Sequence, residues 1–333
     1  MNAPSDRALW FVGPGRAELR PGPPPGPPAP GELVVRALAS GVSQGTELLL
    51  YKGEAPTPFD PSLEAPGTPL YPRRYGYAWV GEVAEAGPGT ALAPGRRVFA
   101  LAPHGDVHRL AERSVRPLPE ALPPERAVLA ANLETAVTVV WDAGVGLGDR
   151  VVVLGGGVVG LLTCLLARRS GASSVRLVER SPARRAAARA LGLDEVLAPE
   201  DDEPRGDADA VIEATGRPEA LDRAIAHAGF EAAVTVASFY GTRQSPVALG
   251  QAFHRKRLAL RSSQVSHLPP ARAPRWGYDR RFALVVELLA DGRLDALLDA
   301  VVPFDDAPQA YARAATSAEP PLQIVFRYRR TPT

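Results

Sequence analysis

The chain has 333 residues, long for one domain and comfortable for two, and 45% of it is apolar, enough to fill two cores. Its 38 basic and 37 acidic residues balance, so no strong field exists to attract nucleic acid or an anionic membrane surface. A single cysteine excludes an internal disulfide framework and any zinc site built from several thiolates.

The opening stretch "MNAPSDRALWFVGPGR" has no basic segment followed by an apolar core, so no signal peptide is expected. Val151 to Ala167 is the most apolar run, but it carries three consecutive glycines between Arg150 and Arg168, which suits a buried strand and helix better than a bilayer span. The expectation is a soluble, cytoplasmic protein. "RPGPPPGPPAP" (Arg20 to Pro30) reads as a stiff surface loop between early strands, with a polyproline ligand as the alternative. "GELVVRALAS", "WVGEVAEAG" and "RRVFALAP" are short apolar runs punctuated by Gly and Pro, and they predict a β-rich first part.

From about Pro124 the pattern changes. "RAVLAANLETAVTVVWDAG" predicts a helix, "DRVVVLGGG" a strand, "VVGLLTCLLARRSGA" a helix and "SVRLVERS" a second strand. "SPARRAAARALGL" follows as a helix with Ser181 as N-cap and Pro182 in its first turn. "DADAVIEATG" and "EAAVTVASFYG" add strands around the helical "RPEALDRAIAHAG", with "EDDEP" before them as a solvated loop. This alternation implies right-handed crossovers and a parallel sheet. "RRFALVVELLADGRLDALL" then reads as an amphipathic helix and a turn, and "LQIVFRYRR" as a closing strand.

"VVVLGGGVVG" is the strongest local signal. Gly155, Gly157 and Gly160 satisfy G-x-G-x-x-G between an apolar strand and an apolar helix beginning at Val158 and Val159. The first glycine permits the turn, the second lets a pyrophosphate approach the backbone, and the third allows close helix–strand packing. The phosphates would sit on the helix N-terminus. The next strand ends in Glu179, placed to accept hydrogen bonds from both ribose hydroxyls, which favours NAD. Arg180 and Arg184 beside it would instead attract a 2′-phosphate, which keeps NADP as the alternative.

The pieces "GTELLLYKG", "GYAWVGEVAEAGPG", "GRRVFALAPH", "LETAVTVVWDAGVGLGDRVVVLGGGVVG", "ADAVIEATGRPEAL" and "SFYG" together resemble the medium-chain dehydrogenase/reductase superfamily, from about residue 30 to the end. The resemblance implies an α/β protein with a GroES-like β-rich catalytic domain at 1–125, completed by 263–333. It implies a Rossmann domain with a doubly wound parallel sheet at 126–262, with Thr215 and Ser238 at the cofactor. Zinc members of that family carry a cysteine in the first motif and a His-Glu pair in the second. In this chain Ser43 and Gln44 precede Gly45-Thr46-Glu47, and Tyr77 and Ala78 replace the pair. The last ligand position falls on Glu134, and the four cysteines of a structural zinc are absent. A catalytic zinc needs three protein ligands and an open position, so no metal is expected.

Losing zinc removes a Lewis acid. By the same resemblance Thr46, Tyr77 and Glu134 are expected to converge where the metal would lie, and His104 is a candidate general acid or base. Ser43, Gln44 and Leu101 would face the substrate. "SGVSQGTE", "RYGYAWVG" and "AFHRKRLALRSSQVS" look most like the zinc-free branch around bacteriochlorophyllide a dehydrogenase. The expected function is zinc-independent interconversion of a secondary alcohol and a ketone with NAD(P). An enone or quinone reductase of the same fold and a non-catalytic nucleotide-binding member are the alternatives. Arg255, Lys256, Arg257, Arg275, Arg280 and Arg281 form two basic clusters, and those around Trp276 and Tyr278 suggest a planar or anionic small-molecule substrate held by Arg275 or Arg280. "EAAVTVASFYG", read as a strand near the sheet edge, suggests a homodimer.

Overall fold

The computed structural model describes residues 6–59, 64–65 and 67–329, and the chain divides into two units, residues 1–131 with 298–333 and residues 132–297.

In the first unit, β1 (Arg7–Gly13) and β2 (Arg16–Pro21) form an antiparallel hairpin that turns at Gly15, whose φ is +68°. The proline segment after it has no regular secondary structure. Gly22, Pro25 and Pro28 are half-buried in it at three-residue spacing, the repeat of an extended proline helix, and the residues between them are exposed. β3 (Glu32–Gly41) follows, then α1 (Glu47–Lys52), β4 (Trp79–Ala86), β5 (Arg97–Ala100), β6 (Val107–Ala111), β7 (Val115–Pro117) and α2 (Pro124–Ala127). β3 is apolar on both faces because it is central: it pairs antiparallel with β4 and β6, and with a strand from the end of the chain.

The second unit begins within α3 (Ala130–Ala143) and continues with β8 (Arg150–Leu154), α4 (Val158–Arg169), β9 (Ser174–Val178), α5 (Pro182–Ala190), β10 (Glu195–Leu197), β11 (Ala208–Glu213), α6 (Leu221–His227), β12 (Ala228–Val236), β13 (Ala259–Ser262) and α7 (Tyr278–Leu288). Its six strands are all parallel in the order β10-β9-β8-β11-β12-β13. This is the doubly wound arrangement, in which the order reverses beside the first strand and leaves a ligand crevice at the carboxyl ends. The chain then returns to the first unit through β14 (Ala300–Pro303), α8 (Ala307–Thr316) and β15 (Ile324–Arg327), with β15 antiparallel to β3 and parallel to β14.

Three expectations change. The predicted helix at 126–144 is two helices, α2 in the first unit and α3, within whose first turn the unit boundary falls. The return to the first unit comes at Leu298, not residue 263, because α7 belongs to the second unit, where its Arg281 is bound to Glu134 of α3. Finally, β12 is not at the sheet edge. It lies between β11 and β13, and the short β13, exposed at every residue, forms that edge. Among the described residues no helix is long and apolar enough to cross a membrane.

Candidate active site

In the second unit β8 runs into the glycine turn. Gly155 has φ +99°, and a Cβ there would stand 2.6 Å from the carbonyl oxygen of Ala214 in the loop after β11. A Cβ on Gly160 would overlap the carbonyl oxygen of Gly155. Both glycines are therefore required by the protein itself. Gly157 is different. Its φ of −71° and ψ of 175° suit any residue, and a Cβ there would meet only Arg184 Nη1, at 4.0 Å. Gly157 is the N-cap of α4, which has no side-chain cap and no acidic residue in its first turn, where Val158 and Val159 lie. Space beside the backbone and an uncapped helix N-terminus together fit a pyrophosphate.

Glu179 lies at the end of β9, nearly buried, and accepts from the Gly156 amide at 2.6 Å and the Ser181 amide at 2.7 Å. Its carboxylate is thus fixed against the glycine turn. Arg184 lies beside Gly157, Arg180 is exposed, and Arg185 donates to the carbonyls of Glu179 and Arg180 at 2.8 and 2.7 Å. Thr215 and Ser238 occupy the loops after the neighbouring strands β11 and β12, where Ser238 Oγ accepts from the Gly216 amide at 2.8 Å. Both loops are tied to Glu213, which is fully buried and was not anticipated. Its carboxylate accepts from the Thr215 amide at 2.7 Å, the Thr215 hydroxyl and the Tyr240 hydroxyl at 2.6 Å. Burial, with the Glu213 bond next, pushes the Tyr240 phenol well above the ordinary range.

In the first unit, the run from β3 into α1 brings Ser43 and Thr46 to Tyr77. The Tyr77 hydroxyl donates to Ser43 Oγ and lies 3.4 Å from Thr46 Oγ1. Desolvation raises the Tyr77 phenol above 10; the bonds to Ser43 and Thr46 oppose this and the charge of Glu47 adds to it. Ser43, beside Gln44 in the first altered motif, and Tyr77 in the second thus hold hydroxyls bonded to each other.

The next layer inward is ionisable and closed to solvent. Glu47 and His104 are both 0% exposed. Glu47 accepts from the Ser43 amide at 2.8 Å and from the Tyr311 hydroxyl, and it pairs with His104 Nε2 at 2.9 Å. His104 Nδ1 meets Ser40 Oγ at 2.7 Å, and Ser40 Oγ meets the Tyr328 hydroxyl at 2.8 Å. Gly76, with φ +133°, leaves room for the imidazole, since a Cβ there would stand 2.9 Å from its Cδ2. His104 is therefore no surface acid or base. Its recorded polar partners are Glu47, Ser40 and the Tyr311 hydroxyl, 3.2 Å from Nε2.

Other expected site residues are engaged elsewhere. Within the second unit Glu134 receives Arg281 Nη2 at 3.0 Å and Nε at 3.1 Å, while Arg281 Nη1 donates to Thr138 and the Val265 carbonyl. Arg281 is only 4% exposed, so it leaves the surface cluster. Trp276 packs on Trp141 with centroids 4.7 Å apart, and Arg280 lies 4.1 Å over the Trp276 ring while donating to the Arg275 carbonyl at 2.6 Å. That stack satisfies itself; only the Arg275 and Arg280 side chains remain exposed. Lys256 donates to the carbonyls of Gly206 and Ala228. Gln44 ties its loop to the Pro321 and Leu322 carbonyls, and Leu101 is 68% exposed.

A family model described as a zinc-binding dehydrogenase matches residues 158–276. Over 226 residues, 64% of this chain and 67% of the other, the protein is 35% identical to 2-desacetyl-2-hydroxyethyl bacteriochlorophyllide A dehydrogenase of Rhodobacter capsulatus. It is 27% identical to D-guloside 3-dehydrogenase of Escherichia coli over 308 residues, 84% of this chain and 88% of that one. A dehydrogenase from Sinorhizobium meliloti bound to NADP shares the fold, with a TM-score of 0.78 at 23% identity over 98% of this chain and 100% of that one. With its doubly wound sheet, its glycine turn at the head of α4 and these relatives, the chain belongs to the medium-chain dehydrogenase/reductase superfamily and is an NAD(P)-dependent oxidoreductase.

Proposed function

We propose that this protein interconverts a secondary alcohol and a ketone by hydride transfer without zinc, with NAD as cofactor. The observation that supports the reading is the hydrogen bond from Tyr77 to Ser43, which joins the two motifs that have lost their cysteine and His-Glu pair. Zinc prefers thiolate, imidazole and carboxylate donors, and a catalytic site takes three of them. Two hydroxyls already bonded to each other, with Thr46 beside them, do not suit that ion. They suit a proton relay.

The nicotinamide, when bound, supplies or accepts the hydride. In the reducing direction, Ser43 Oγ donates its proton to the carbonyl oxygen as the hydride reaches the carbon, and Tyr77 passes its proton to Ser43. The phenolate left on Tyr77 recovers a proton from solvent. Oxidation runs the same steps backward and needs the phenolate first. Glu179 supports NAD over NADP, because a carboxylate fixed at the glycine turn repels a 2′-phosphate. The exposed edge at β13 is where a second copy would pair to form a homodimer.

Purified protein incubated with NADH and panels of ketones, enones and quinones tests the reading, together with zinc content by elemental analysis. Turnover of a ketone by protein holding far less than one zinc per chain supports it. Stoichiometric zinc lost together with activity refutes the zinc-free part, and turnover confined to enones or quinones refutes the substrate class.

A further inference from the structure

The end of α4 far from the glycine turn has surroundings of its own. At about 1.5 Å per residue, Arg169 lies about 18 Å along the helix axis from Gly157. The last turns of the helix line a cavity of about 540 Å³ whose walls come from the second unit alone. Leu133 of α3, Leu162 and Leu166 of α4, Leu191 just after α5, Leu288 of α7 and Leu294 beyond it meet there, and each is buried. On α4 the spacing Leu162, Leu165, Leu166, Arg169 is i, i+3, i+4, i+7, so the apolar stripe that walls the cavity ends in an arginine on the same face.

The charged lining is Arg168, Arg169, Arg293 and Asp291, and the three arginines are exposed. Arg293 holds Asp291 through Nη2 at 2.6 Å. Arg168 donates to the Gly192 carbonyl and faces Asp194 at 3.6 Å, a carboxylate 90% exposed to water. Among the described residues the Arg169 guanidinium makes no hydrogen bond or ion pair. The helix dipole favours arginine in a last turn, but it does not call for a leucine-walled cavity beside it.

The lining thus divides by chemistry. It has no hydroxyl, amide or aromatic side chain to orient a sugar or a base, so the body of a fitting ligand is apolar. Three positive charges against one negative at its exposed side require an anionic head, and the planar arginine fork matches a carboxylate. The volume falls in the range of roughly 300–1,000 Å³ typical of small-molecule sites. We propose that the nucleotide unit carries a second ligand site for a free single-chain fatty carboxylate. Its chain lies among the leucines, and its carboxylate lies on Arg169 with Arg168 beside it. The site is separate from the cofactor turn and independent of the alcohol–ketone reaction.

The test titrates full-length protein with dodecanoate below its micellar concentration, by calorimetry, with and without saturating NADH. One molecule should bind per chain, with the same affinity in both cases. Dodecanol lacks the charge and butyrate lacks the chain, and each should bind at least roughly tenfold more weakly. Arg169→Glu, at an exposed position, should weaken dodecanoate by at least about tenfold and leave NADH affinity and the unfolding midpoint unchanged. Leu165→Trp, on the half-buried part of the wall, fills the cavity and should abolish dodecanoate binding. No saturable binding to the wild-type protein overturns the proposal, and so does wild-type affinity in Arg169→Glu. Dodecanol binding as tightly as dodecanoate overturns the anionic head. Competition with NADH overturns the second site, since the chain then occupies the cofactor crevice. Co-sedimentation with vesicles of anionic phospholipid, without binding of free dodecanoate, overturns it in favour of a membrane surface. None of these readouts involves ketone turnover, so failure here and failure of the proposed reaction are distinguishable.

Discussion

The glycine turn yields a prediction that separates a fold requirement from a ligand requirement. A Cβ on Gly160 overlaps the Gly155 carbonyl oxygen, which is backbone and not the far end of a flexible side chain. Gly160→Ala should therefore force the helix off the strand and cost about 3 kcal/mol or more. Gly157→Ala meets nothing closer than 4.0 Å in a conformation open to any residue. The entropy lost by the unfolded chain favours alanine by about 0.4–1 kcal/mol, and the N-cap preference disfavours it by a similar amount. Stability should thus stay within about 1 kcal/mol of wild type. NADH binding should not. A methyl group beside the uncapped amides holds the pyrophosphate away, and losing one or two charge-assisted hydrogen bonds of about 1.5–3 kcal/mol each weakens binding by at least roughly tenfold. Gly157→Val should nearly abolish it. Denaturant unfolding and NADH fluorescence titration measure the two quantities on the same samples. Wild-type NADH affinity in folded Gly157→Val would show that the phosphates do not lie there.

Glu179→Ala should weaken NADH by about tenfold and narrow its advantage over NADPH, since the repelling carboxylate is gone; paired titrations check this, and tighter NADPH binding by the unmodified protein would reverse the cofactor assignment. Removing Glu134 by Glu134→Gln or Arg281 by Arg281→Met should cost about 3–5 kcal/mol each, because either leaves a buried charge unpaired, while the double variant should cost much less than the sum in a double-mutant cycle of unfolding free energies. Desolvation lowers the His108 pKa from 6.5 to about 4, the Pro103 carbonyl bond opposing it. The unfolded chain then binds a proton that the folded chain refuses, so stability is complete above pH 6.5 and falls by about 3 kcal/mol on the way to pH 4; His108→Gln should flatten that slope in denaturant melts.

Much of this was legible from the chain, and the rest was hidden for identifiable reasons. The glycine turn and Glu179 could be read directly, because backbone geometry demands glycine at Gly155 and Gly160 within a few residues of sequence. Thr46 and Tyr77 were expected together from the family motifs, and the structure sets their hydroxyls 3.4 Å apart; Ser43, expected only to face substrate, is the partner of Tyr77. The failures are pairings across long separations. Glu134 read as a site carboxylate because its partner, Arg281, lies 147 residues away and looked like one of a surface cluster. The amphipathic pattern of α7 announced a buried face without naming what covers it, so the return to the first unit was placed before that helix, not after it. β12 was taken for an edge because β13 is four exposed residues with no apolar alternation to announce a strand.

Glu47 shows why chemistry is harder to read than fold. Locally it is an acidic residue in the first turn of a six-residue helix, where a carboxylate is favoured whatever its function. His104, 57 residues later, sits in a loop with no motif of its own. Read alone, His104 is a candidate general acid or base; the fold places it fully buried between Glu47 and Ser40. Folding changes both. Pairing β3 with β4, and β15 with β3, brings the loop after β5 and the end of the chain around one carboxylate, so that Tyr311 bonds Glu47 directly and Tyr328 bonds Ser40 behind His104. A carboxylate, an imidazole and two phenols closed to solvent are thus brought together by the fold and by no local motif, and a search for functional side chains by exposure alone passes over them.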